Sequence, residues 1–370
     1  MEIMNNIFNF ATSELSQDAV IAWCLNWINE NPSSKLYPLA LTLLARMGIS
    51  GDEAKNGIMI EQQYKHIDVL VSVKNCNKVI IIEDKVYTTE HDDQIAKYKE
   101  EITKLSKDEK DNLGINDDVS ISTVYLKTGY WYDYDKMVQA TEKIDGEEFY
   151  SLLNPFIGIS EILDSYIIYL KESIDWYKKH GDFTNISDLR NHTICQHNLM
   201  RRLFPEKLWD GSSNLYKVYS GTNNGGTPWT EMVVYEGLFP KKEPYSVFWR
   251  VDCDNLGPYI SLRFYDKYNK NDEYEKATHL DEYERLRCII NNVIDAGKFS
   301  FEKSEVIPGF RGNYYEAEIF CWHIEGILND WENKGNDFVH DLDLFSNEFV
   351  KQVNMQRPKY SKLAHEWNIE

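Results

Sequence analysis

Disulfide chemistry has little to work with in this chain. Its six cysteines, Cys24, Cys76, Cys195, Cys253, Cys288 and Cys321, are scattered singly over 370 residues. No CxxC pair occurs, which argues against a structural zinc ribbon. Cys195-Gln196-His197 with His192 brings soft donors together, but scattered core or surface residues are the simpler account. Reduced thiols point to the cytoplasm. Long apolar runs are missing too: none reaches the roughly 18 residues of a membrane span, so no membrane partner is expected. The N-terminal stretch MEIMNNIFNFATSE has neither a basic region nor a long apolar core and does not read as a signal peptide. Positive charge is in deficit: 40 Lys and Arg stand against 60 Asp and Glu, a formal net charge of -20. This argues against broad, non-specific binding to DNA through phosphate neutralisation, and any such contact needs a local basic groove, a metal or a partner. The glycine cluster Gly221 to Gly226 has no lysine following at phosphate-loop spacing, so a hairpin loop is expected there. No internal repeat and no low-complexity segment is present.

What the chain does have is a pair of charged strand ends. The stretch IDVLVSVKNCNKVIIIEDKV runs from Ile67 to Val86. Apolar residues occupy the odd positions from Ile67 to Val73, the period of a strand with one buried face, and Asp68 points away from Val69 and Val71. Asn75-Cys76-Asn77 reads as a turn. Val79 to Ile82 is apolar throughout, as in a central strand covered on both faces, and it runs straight into Glu83-Asp84-Lys85. Glu83 and Lys85 share one side and Asp84 the other. Paired carboxylates on neighbouring strands suit a hard divalent cation.

Helical spacing predicts helices over 16–30, 35–47, 91–105 and 159–179, and Thr88-Thr89 read as a cap for the third. Strands are expected at 58–63 and 119–126. After Gly181 the texture changes. A helix is expected over 186–204, then strands at 215–220, 230–235, 245–251 and 259–265, a helix near 281–296, strands near Phe299 and Tyr314, and helices to the end. Trp229, Trp249, Tyr259 and Phe264 suit either a base-stacking platform or β-core packing.

The order helix, three strands, helix, strand, with Asp68 followed by Glu83-x-Lys85, resembles the PD-(D/E)XK nuclease superfamily. Supporting features are Glu14-Leu-Ser-Gln-Asp-Ala19, the acid Glu61 before the aspartate strand, and Gln94-Ile-Ala-Lys-Tyr98, which is similar to the Gln-x-x-x-Tyr helix of RecB-like members. The likeness covers residues 5–130. Ile67 stands where the family name has proline. The resemblance implies an α/β fold, a restriction-endonuclease-like core with a mixed central sheet flanked by helices, and the change of texture near 181–187 sets this domain over 1–180 apart from a C-terminal α+β domain over 187–370. It also implies a nuclease that uses Mg²⁺ or Mn²⁺ on nucleic acid, DNA rather than RNA, in restriction or anti-phage defence. Asp68 and Glu83 would ligate the ion with the backbone carbonyl of Asp84, and Glu14, just before the first helix, would join them. Lys85 would hold the attacking water, and Gln94 and Tyr98 would line the site. The alternative is a binding or sensor module that is inactive or needs a partner. The C-terminal domain is expected to serve recognition, regulation or homo-oligomerisation, or to bind an activating partner.

Overall fold

The computed structural model describes residues 6–11, 13–90, 93–207, 209–223, 225–238, 244–266, 273–297 and 316–356. They divide into two compact units, Met1–Lys178 and Lys179–Glu370. No helix among the described residues is long and apolar enough to cross a membrane.

The first unit is a five-stranded mixed sheet between helices. Its elements are α1 (Ser13–Asn26), α2 (Tyr37–Arg46), α3 (Gly51–Ala54), β1 (Ile58–Tyr64), β2 (Ile67–Val73), β3 (Lys78–Lys85), α4 (Gln94–Thr103), α5 (Lys107–Leu113), β4 (Ser120–Lys127), α6 (Asp133–Met137), β5 (Glu142–Asp145), α7 (Gly146–Leu153) and α8 (Glu161–Lys179). The sheet order is β1-β2-β3-β4-β5. The first three strands run antiparallel, and β4 and β5 add on parallel.

β3 is central, and Val79 to Ile82 are fully buried, each apolar side chain contributing about 1.5–3 kcal/mol. β2 departs from the expected single buried face: Leu70 and Ser72 are buried along with Val69 and Val71. The reason is a second core. Val69, Val71, Ile80 and Ile82 pack with α1, α2 and α8, while Leu70, Val79 and Ile81 pack with Tyr98 and Ile102 of α4 and Leu113 of α5. The turn into β3 uses Asn75 and Asn77 with positive φ, a conformation asparagine tolerates better than most residues.

α1 starts earlier than its apolar pattern suggests, so Glu14 lies in its first turn rather than before it. α4 begins at Gln94; its N-cap is Asp93, not a threonine, and His91 lies outside the described residues. β5 carries too little apolar pattern to be read from sequence.

The second unit contains α9 (Ile186–Asn191), α10 (Thr193–Leu203), β6 (Val218–Thr222), β7 (Pro228–Leu238), β8 (Pro244–Asp254), β9 (Gly257–Asp266), α11 (Glu273–Ala296), β10 (Glu316–His323), α12 (Glu325–Leu328) and α13 (Trp331–Met355). Its sheet is antiparallel throughout, in the order β10-β9-β8-β7-β6. The single helix expected over 186–204 is two, broken at His192, whose backbone is extended. Trp249 and Phe264 are core residues, whereas Trp229 stacks on Arg250, so the four aromatics form no common platform. The strands expected near Phe299 and Tyr314 lie outside the described residues.

Candidate active site

The charged ends of β2 and β3 meet. Val69 pairs with Ile82, so one step outward Asp68 lies across from Glu83. A tight reversal at Lys65-His66, both with positive φ, delivers the chain into β2. Gln63 also has positive φ, and its amide reaches two carboxylates, Asp18 Oδ2 at 3.1 Å and Asp68 Oδ1 at 3.4 Å. Backbone outliers of this kind concentrate at functional sites.

Glu83 has no solvent exposure. Lys85 Nζ lies 2.5 Å from its Oε1 and 3.6 Å from Asp68 Oδ2. Among the described residues, Glu83 Oε2 has no hydrogen-bond partner. Burial, and then the charge of Asp68, push the Glu83 carboxyl up to about 7. Burial alone would lower the Lys85 ammonium, but Glu83, Asp68 and Glu14 outweigh it and raise its pKa. Lys85 is therefore a fixed positive charge at neutral pH.

Glu14 reaches the end of β3 from α1. Its Oε1 accepts from Thr88 Oγ1 at 2.6 Å and from the Val86 N–H at 3.4 Å. Thr88 thus holds Glu14 instead of capping α4. Gln94 and Tyr98 share one face of α4, with Gln94 Nε2 3.3 Å from the Tyr98 hydroxyl. Burial and the charges of Glu83 and Asp68 raise the pKa of that hydroxyl, which brings α4 into the field of the site. Glu61 is exposed on β1.

Asp84 faces the other way, as the period of two requires. Its backbone N–H donates to Asp68 Oδ2 at 2.9 Å, and its side chain accepts from Gln17 Nε2 at 2.5 Å. Burial, reinforced by Asp18, raises the Asp84 pKa well above its ordinary value, while burial and Asp68 push Asp18 up to about 6. The charged form of Asp84 is thereby disfavoured.

Two groups escaped the sequence pattern. Gln17 is a buried hub: its Oε1 accepts from Thr128 Oγ1 at 2.6 Å and from the Tyr166 hydroxyl at 2.7 Å, while its amide holds Asp84. It stood in plain view inside Glu14–Ala19, but a glutamine has no periodic signature. Lys127 lies beside Lys85 in the β3–β4 register. It is wholly buried, and its ammonium is 2.7 Å from Asp135 Oδ2, while the Tyr125 hydroxyl donates to Asp135 Oδ1 at 2.6 Å. Burial lowers the Lys127 pKa against the pull of Asp135. The signal was the same apolar-to-charged switch that marks β3, here in Val124-Tyr-Leu-Lys127. The loop beyond β4 closes tightly on β3: a Cβ on Gly129 would stand 1.7 Å from the Val86 carbonyl oxygen, so only glycine fits.

Asp68 and Glu83 present carboxylate oxygens on neighbouring strands, with one buried oxygen of Glu83 unsatisfied, whereas Glu14, held by Thr88 and the Val86 N–H, forms no three-carboxylate cluster with them. Paired carboxylate oxygens of this kind fit a hard divalent cation.

A mixed sheet with an Asp on one strand and Glu-x-Lys on the next, clasped by helices, defines a restriction-endonuclease-like domain. Residues 5–167 match the model of the PD-(D/E)XK nuclease superfamily. No curated protein and no solved structure matches the chain.

Proposed function

We propose that the first unit is a Mg²⁺- or Mn²⁺-dependent nuclease that hydrolyses phosphodiester bonds of DNA, acting in the cytoplasm in bacterial restriction or anti-phage defence. The assignment rests on Glu83: a fully buried carboxylate beside Asp68 and Lys85, with an oxygen that no described donor satisfies. Burying such a charge is costly unless a cation compensates it. Asp68, Glu83, Glu14 and the backbone carbonyl of Asp84 would hold the ion. When bound, a divalent ion lowers the pKa of a ligated water and offsets charge at the phosphate.

The chain's own residues do the rest. Lys85 is protonated, so it does not take the proton of the attacking water. It orients that water and stabilises the charge that develops on the phosphoryl oxygens. Asp68 and Glu83 hold Lys85 in place by ion pairing. Gln94 and Tyr98 offer an amide and a hydroxyl to the substrate side. Gln17 and Asp84 brace the back of β3 and keep the strand end in register.

Purified full-length protein incubated with Mg²⁺ or Mn²⁺ and linear DNA, circular DNA or RNA tests this. DNA cleavage is expected, abolished by EDTA. Asp68→Ala, Glu83→Gln and Lys85→Ala should each slow it by on the order of 10²–10³-fold. Cleavage that survives Asp68→Ala or Lys85→Ala sinks the site. Glu83-dependent metal binding without cleavage of any of the three substrates favours a sensor or partner-activated module.

A further inference from the structure

A second donor set, of different chemistry, lies within the second unit. His180 follows α8, Asp188 sits in the first turn of α9, and His192 is the extended residue between α9 and α10. One ligand atom from each lies within 4.8 Å of the other two. His180 Nδ1 is 3.0 Å from Asp188 Oδ1, and His192 Nε2 is 3.8 Å from that same oxygen. The two imidazole rings lie with centroids 4.8 Å apart, tilted 60° to one another.

The carboxylate is held in advance. Asn185 Nδ2 donates to Asp188 Oδ2 at 2.9 Å, and Asn185 Oδ1 caps α9 by accepting from the Ser187 and Asp188 N–H groups. Oδ1 is thereby turned towards both rings. An orienting partner behind a ligand is the arrangement that metal sites use.

We propose that His180, Asp188 and His192 bind a zinc-class divalent cation. Two imidazole nitrogens and one carboxylate oxygen suit Zn²⁺, Co²⁺ or Ni²⁺, whereas Mg²⁺ prefers oxygen alone. Zinc takes such ligands at roughly 2.0–2.2 Å and completes a tetrahedron with water, a contraction that rotation of the half-exposed rings allows. Cys195, the soft donor nearest in sequence, is not a member: its thiol donates to the Asp182 carbonyl oxygen at 3.0 Å. The ion would clip the 180–192 segment to itself at the start of the second unit. The site does not depend on the nuclease assignment of the first unit.

The test uses metal-stripped full-length protein and a Glu83→Gln variant, so that the carboxylate centre and this site are read separately. Co²⁺ titration should give, in both chains, one ion per chain with the visible bands of a low-coordinate, nitrogen-ligated site. Zn²⁺ should displace it in stoichiometric amount and Mg²⁺ should not. Zn²⁺ should also raise the melting temperature. His180→Ala and His192→Ala should each weaken Zn²⁺ binding more than tenfold and remove the thermal shift, while exposed His340→Ala changes neither. His192→Asn, checked for native circular dichroism, guards against loss of fold. Absence of the Co²⁺ bands from the Glu83→Gln chain overturns the proposal, as does Zn²⁺ affinity indifferent to both histidine substitutions.

Discussion

Glu83 is held at odds with its surroundings. Burial and Asp68 push its carboxyl to about 7, against the opposing pull of Lys85. A carboxyl whose folded pKa exceeds its unfolded value of 4.5 stabilises the fold fully below that value and loses this contribution as pH rises through about 7. A cation and a proton then compete for the same oxygens. Mn²⁺ affinity should therefore rise between about pH 6 and 8, with proton release on binding. Calorimetric titration in buffers of different ionisation enthalpy measures both quantities. Glu83→Gln should abolish the binding and its pH dependence. A flat affinity profile with no proton uptake by the buffer would refute the competition.

Elements, not single residues, bring the site together, and Lys127 at the end of β4 shows how. Its ammonium is wholly buried against Asp135 of α6, and the Tyr132 N–H also donates to Asp135 Oδ2 at 2.8 Å. Removing only the acid strands a buried charge. Asp135→Leu should cost about 3–5 kcal/mol in denaturant unfolding, and the double variant Lys127→Met/Asp135→Leu should recover much of it. Equal losses for single and double variants would mean that the pair is not coupled. How far such elements could be read from sequence follows from their physics. β2, β3 and the α4 face were legible because burial imposes a period on consecutive residues: Asp68, Glu83, Lys85, Gln94 and Tyr98 sit on strands and a helix close to the expected ones. What depends on partners distant in sequence was not. The short parallel β5, Thr88 held by Glu14, Gln17 as a hub and the break at His192 are all fixed by tertiary contacts, which leave no local pattern.

At the scale of the molecule, the two units have separate cores. One described core runs from Leu189 to Val353 in the second unit, and those of the first lie between Val20 and Ile174. A net charge of -20 adds repulsion without linking one core to the other. Damage to one core should then remain confined to its own unit. Phe345 is fully buried among Trp249, Phe320 and Trp322 in the second core. Phe345→Ala removes its ring from a close-packed site and should cost that unit about 3–5 kcal/mol. Glu83-dependent Mn²⁺ binding reports on the first unit alone. If the cores are independent, Phe345→Ala moves one unfolding transition to lower denaturant and leaves Mn²⁺ affinity unchanged, whereas Leu43→Ala in the first core does the reverse. If Phe345→Ala weakens Mn²⁺ binding as much as Leu43→Ala does, the units fold as one, and the second unit reaches the metal centre through the fold itself.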